Sequence, residues 1–122
     1  MRIVAPVLVS TLHDPGAATL PFIEATSAAI SSYPLVIIAA AAATDSRVTA
    51  RLQELGVQII PGGLTGEGRR AALAAAGRES AACFSCDFDR WLHWATAWPE
   101  ELAALPARIA RLGQRGLPPW YV

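Results

Sequence analysis
Apolar and polar positions along the chain change period repeatedly, and each change marks an element. Ile3 to Val9 is an apolar, β-branched run. Its near-continuous hydrophobicity predicts a strand covered on both faces. His13-Asp14-Pro15-Gly16 is turn chemistry. Pro21 to Ser31 places Phe22, Ala25 and Ala29 on one helical line and Ile23, Ser27 and Ile30 on another, with Thr19 as a cap ahead of a helix-starting proline. Ser32-Tyr33-Pro34 ends it. Leu35 to Ala40 predicts a second strand centred on Val36-Ile37-Ile38, and the alanines that follow fit either a strand end or a helix. Thr44-Asp45-Ser46 offers an N-cap to a helix with Val48, Leu52 and Leu55 on its apolar face and Gly56 as its C′ residue. Val57 to Ile60 is a short strand stopped by Pro61-Gly62-Gly63. Arg69 to Ala76 is alanine-rich and helical, closed by Gly77. Ala81 to Cys86 is the fourth apolar stretch. Trp91 to Trp98 reads as helical, as does the segment opened by Pro99 with Glu100 and Glu101 in its first turn. Pro106 is expected to kink or split that last helix, and Gly113 and Gly116 to end it.

Strand and helix alternate through four rounds. That order predicts an α/β fold, a three-layer sandwich with a mainly parallel, Rossmann-like sheet. No linker or internal repeat interrupts it, so residues 1–122 are read as one domain. Ligands of such sheets bind beyond the carboxyl ends of the strands. Ser10-Thr11, Thr44-Asp45, Pro61 to Gly68 and the pair Asp87/Asp89 follow the four strands in turn, so one crevice can collect them all.

Composition narrows the classes. Hydrophobic residues make up 53% of the chain, which excludes intrinsic disorder. Ten basic residues, all arginine, balance ten acidic ones, and this neutral sum argues against a nucleic-acid binder. The longest apolar stretch, Leu35 to Ala43, falls far short of the ~20 residues of a membrane span. No cleavage pattern follows the first apolar run, and two cysteines make no secreted disulfide framework, so a soluble cytoplasmic protein is expected.

Asp87-Phe88-Asp89 is the sharpest motif. Two carboxylates spaced i, i+2 past a strand end can share one hard cation, Mg²⁺ or Mn²⁺, bridged to phosphates. The alternative is a solvated strand end with Asp89 as N-cap of the next helix. The loop from Gly62 to Arg70 runs into a helix N-terminus, where free N–H groups and two arginines favour an anion; a mobile surface loop is the alternative. It has P-loop glycine spacing from Gly63, but Arg69 and Arg70 replace the lysine and the Ser/Thr, and it follows the third strand. Cys83 and Cys86 form a CxxC inside a predicted strand, where i and i+3 point to opposite faces, so core cysteines are expected. Trp91, Trp94 and Trp98 share a helical face, read as core or subunit contact with a sugar-stacking platform as alternative. His13 and His93 are read as structural, with a general-base role as the alternative.

These residues resemble the nucleotide-binding half of the GT-A fold glycosyltransferases, especially the family 2-like enzymes. Gly66-Glu67-Gly68-Arg69-Arg70-Ala71-Ala72-Leu73 is similar to the family's glycine-arginine helix start. The strand ending in Asp87-Phe88-Asp89 is similar to its D-x-D segment, and Thr44-Asp45 to its S/T-x-D segment. The resemblance implies that Asp87 and Asp89 bind the metal and the sugar diphosphate, that Asp45 contacts base or ribose, and that Arg70 approaches the nucleotide or orders the D-x-D loop. Thr11, at the end of the first strand, completes the expected nucleotide-sugar-binding set. The first loop departs from the family, with Thr11-Leu12-His13-Asp14 in place of its usual polar run. Family members also continue well past D-x-D into an acceptor half, so this chain is expected to be the donor half of a larger architecture: a truncated form, a minimal binding domain, or one subunit of an assembly that supplies the rest.

The first expectation is therefore a glycosyltransferase-like domain that binds a nucleotide sugar through a divalent metal. The second is a non-catalytic α/β domain acting through homo- or hetero-oligomerisation, supported by only 16% charged residues against ~25% in typical soluble domains. The third, a phosphotransferase with Asp87 as nucleophile, resembles the haloacid-dehalogenase-like phosphatases. That family places D-x-D on its first strand, so this reading ranks last.

Overall fold
Uninterrupted apolar strands require cover on both faces, and the sheet is built that way. The computed structural model describes residues 6–63, 66–79 and 83–114. Strands β1 (Val7–Leu12), β2 (Val36–Ala40), β3 (Gln58–Pro61) and β4 (Cys83–Ser85) form one four-stranded sheet in the order β3-β2-β1-β4. Every pairing is parallel, with Leu8 opposite Val36 on one side and Phe84 on the other.

The helices are α1 (Leu20–Ala25), α2 (Ser27–Ser31), α3 (Ser46–Glu54), α4 (Glu67–Glu79), α5 (Phe88–Ala97) and α6 (Pro99–Gln114). Side chains alternate between two cores. Leu8, Leu12, Val36, Ile38 and Phe84 pack with Ile23, Ile30, Val48, Leu52, Trp91 and Leu102 from the five helices on one face. Val7, Val9, Ile37 and Ala39 pack under Ala72 and Ala76 of α4 on the other. Chain direction explains this split. The steps from β1 to β2 to β3 run one way along the sheet and put their helices on one face. The step from β3 back past β1 to β4 reverses direction, and a crossover of the same hand then lies on the opposite face. Small alanines let α4 approach closely. The result is the expected α/β three-layer sandwich with an all-parallel sheet.

Several boundaries differ from the sequence reading. The helix expected over Pro21 to Ser31 is two short helices, broken at Thr26, whose hydroxyl donates to the Phe22 carbonyl. Such back-bonding competes with the helical ladder. The first strand runs on through polar Ser10 and Thr11 to Leu12, because their hydroxyls find partners across the sheet. Ala41 to Ala43 are neither strand nor helix. Gly77 does not close α4, which continues to Glu79, and Gly113 lies inside α6. Pro106 sits within α6 without splitting it. Asp87, rather than Asp89, is the N-cap residue of α5, and Thr19 makes no capping bond at α1. Asp45 does cap α3, accepting from the Arg47 N–H. Gly56 takes the left-handed conformation expected after that helix. Readings that fell on Arg2 to Ala5, Leu64-Thr65, Ala81-Ala82, Gly116 and Leu117 to Val122 lie outside the described residues.

The tryptophan face divides along its length. Trp91 is fully buried, stacked on Phe88 at 5.8 Å between centroids and donating its indole N–H to the Tyr33 hydroxyl. Trp94 meets Phe84 edge-on, while Trp98 is 53% exposed with His93 against its ring. Among the described residues, no helix is long and apolar enough to cross a membrane.

Candidate functional site
β1 and β4 are neighbours although the chain visits β2 and β3 between them. Their junction is where the direction of winding reverses, the place in open parallel sheets where a crevice opens at the strand ends. A cleft of about 730 Å³ lies there, and Thr11, Asp14, Gly68, Arg69, Asp87 and Asp89 are among its lining residues.

Three ties fix β4's exit against β1. The Cys86 N–H donates to the Val9 carbonyl at 3.0 Å. The buried Ser10 hydroxyl donates to the Cys86 carbonyl at 2.6 Å. The Thr11 hydroxyl then donates to Asp87 Oδ1 at 3.0 Å. The same oxygen accepts from Arg69 Nη2 at 2.8 Å. One carboxylate is thus held by a hydroxyl from the strand and a guanidinium from α4. Asp89 lies in the first turn of α5, exposed, and accepts from the Arg90 N–H.

The floor of the cleft is glycine because nothing larger fits. A Cβ on Gly62 would stand 2.9 Å from the backbone of Ala40 and Ala41. A Cβ on Gly68 would meet Gly62 Cα at 2.9 Å and Ala39 Cβ at 3.0 Å. The first turn of α4 therefore rests directly on the loop after β3.

Asp14 shapes the opposite wall. It is 6% exposed, and its carboxylate accepts from the Ala18 N–H at 2.9 Å, the Thr19 N–H at 2.8 Å and the Thr19 hydroxyl. Burial raises its pKa, but the three donors outweigh burial and leave it below the ordinary carboxylate value. Its backbone also receives the Asp45 N–H, joining the loops after β1 and β2. In sequence Asp14 is turn chemistry ahead of Pro-Gly, and Thr19 five residues on is the signal of its partner.

Of the expected site residues, Thr11, Asp87 and Asp89 meet at the cleft and Asp45 and Arg70 do not line it. Both Asp45 oxygens are occupied by Arg47, through its N–H, Nε and Nη2, which holds the carboxyl below its ordinary pKa. Arg69, one residue before the arginine singled out by the resemblance, is the one that reaches Asp87. Helical phase decides between the two neighbours, and phase at a helix start depends on where the first turn begins. Cys83 and Cys86 are free and pack on opposite cores, as strand alternation requires.

Among the described residues, no three His, Cys, Asp or Glu side chains gather closely enough to enclose an ion. Asp87 and Asp89 are lining carboxylates that could serve a hard cation, which takes most of its ligands from water and phosphate. Compared with protein-family models, with curated proteins and with solved structures, the chain gives no match.

Proposed function
We propose that the cleft binds the diphosphate of a nucleotide sugar and that the chain is a glycosyltransferase-like donor domain. The observation that carries this reading is the convergence of Asp87, Asp89, Arg69 and the first turn of α4 on one cleft at the switch point of a parallel sheet. A cleft of this volume is within the ~300–1,000 Å³ usual for small-molecule sites. Its lining carries Asp14, Asp87 and Asp89 against Arg69, with His13 beside them. A bare diphosphate is repelled by such a lining, and a diphosphate carried with a divalent cation is not. Asp87 and Asp89 would hold Mg²⁺ or Mn²⁺, which supplies Lewis-acid charge to the departing diphosphate. Thr11 holds the Asp87 carboxylate, and Arg69 would turn from that carboxylate toward a phosphate oxygen beside the start of α4.

Calorimetry with UDP- and GDP-sugars, with and without Mn²⁺, tests it. Metal-dependent binding that disappears in Asp87→Ala and Asp89→Ala supports the reading; binding indifferent to either aspartate removes it. The association reading rests on a different observation, the exposed rings of Trp98 and Phe22. A concentration-dependent dimer in sedimentation, broken by Trp98→Glu, supports it, and a monomer at every concentration counts against it.

A further inference from the structure
A second, smaller recess of about 240 Å³ lies beside the cleft, lined by Arg69, Ser85, Cys86, Asp87, Arg90 and Trp94. Arg69 and Asp87 belong to both, so they form the wall between them. The recess has about a third of the cleft's volume.

Charge separates the two spaces. The cleft sets Asp14, Asp87 and Asp89 against Arg69. The recess sets Arg69 and Arg90 against Asp87. Among the described residues Arg90 makes no ion pair, whereas Arg69 is held by Asp87. The cleft therefore needs a cation before it accepts an anion, and the recess does not. Trp94 stands one helical turn beyond Arg90, half-buried and fixed edge-on against Phe84. It gives the recess a rigid apolar wall beside the guanidinium. β4 is an edge strand of the sheet, so no further described strand lies beyond it to close the recess on that side.

We propose that this recess binds the phosphate group of the second substrate, a phosphate-bearing sugar acceptor, with Arg90 as its principal ligand. The acceptor assignment rests on the nucleotide-sugar reading of the adjoining cleft. The phosphate lies against Arg90 and the outer side of Arg69, and the acceptor's body lies against Trp94, beside the carboxylate that faces the donor.

The test is calorimetric titration of the full chain with inorganic phosphate in the presence of a chelator, with UDP plus Mn²⁺ titrated in parallel. Saturable phosphate binding without metal is expected. It weakens about tenfold or more in Arg90→Ala, recovers in part in Arg90→Lys, and is unchanged in Asp89→Ala, while UDP binding survives Arg90→Ala. Coincident phosphate isotherms for wild type and Arg90→Ala overturn the proposal, as does phosphate binding that requires Mn²⁺ and vanishes in Asp89→Ala. UDP binding with no phosphate binding removes the recess alone. Phosphate binding through Arg90 with no UDP uptake removes the nucleotide reading, and the acceptor assignment with it.

Discussion

Thr11 and Asp87 stand 76 residues apart in sequence and 3.0 Å apart in space, hydroxyl donating to carboxylate across the junction of β1 and β4. The contact exists because the sheet brings the first strand beside the fourth. With Arg69 on the same oxygen, it sets the aim of the carboxylate that the proposed function relies on.

Thr11→Val keeps the β-branched shape and removes the donor. Asp87 is half exposed and solvates easily, so the loss of stability is expected to stay near ~1 kcal/mol. Mn²⁺-dependent UDP binding is expected to weaken several-fold, as Asp87 loses a fixed rotamer. Arg69→Ala should be close to silent in urea unfolding, because an ion pair this exposed contributes ~0–1 kcal/mol. Its effect is expected in UDP affinity. The two variants together separate orientation of the carboxylate from contact with phosphate.

Glycine positions give a paired prediction. Gly62→Ala drives a Cβ into the Ala40–Ala41 backbone, which cannot yield as a side chain could. The expected cost is ~1–3 kcal/mol, read from denaturant unfolding. Gly77→Ala meets nothing within 4 Å and lies inside α4. It is expected to stabilise by ~0.5–1 kcal/mol through helix propensity and lower unfolded-state entropy.

Asp14 predicts a pH dependence with a definite sign. Its carboxyl titrates lower in the native state than in the unfolded chain. Its contribution is therefore complete above the unfolded value and is lost as pH falls through the native one. Asp14→Asn removes that contribution. The gap in unfolding free energy between wild type and variant should be widest at neutral pH and should close below about pH 4. A gap that stays constant into acid would show that Asp14 gains nothing from its three donors.

The tryptophans should part company. Trp91→Ala empties a fully buried, stacked site and is expected to cost ~3–5 kcal/mol. Trp98→Ala, at the exposed end of the same face, should fall within about ±0.5 kcal/mol in the isolated chain. Thermal unfolding of the two variants measures both.

The alternation of elements, the parallel sheet and the crossing of Cys83 and Cys86 to opposite faces were legible from residue order, because hydrophobic period and strand alternation are local properties. The position of Asp87 and Asp89 just past the fourth strand was legible for the same reason. Local pattern could not choose between Arg69 and Arg70, since a helix start shifted by one residue turns either toward the cleft. Nor could it place Asp45, whose carboxylate is consumed by capping α3 and pairing with Arg47. Asp14 looked like ordinary turn chemistry until Ala18 and Thr19 folded back onto it. Local chemistry thus decided which residues were eligible for the site. Long-range strand order, which sets β4 beside β1 and seats α4 on Gly62, decided which of them meet.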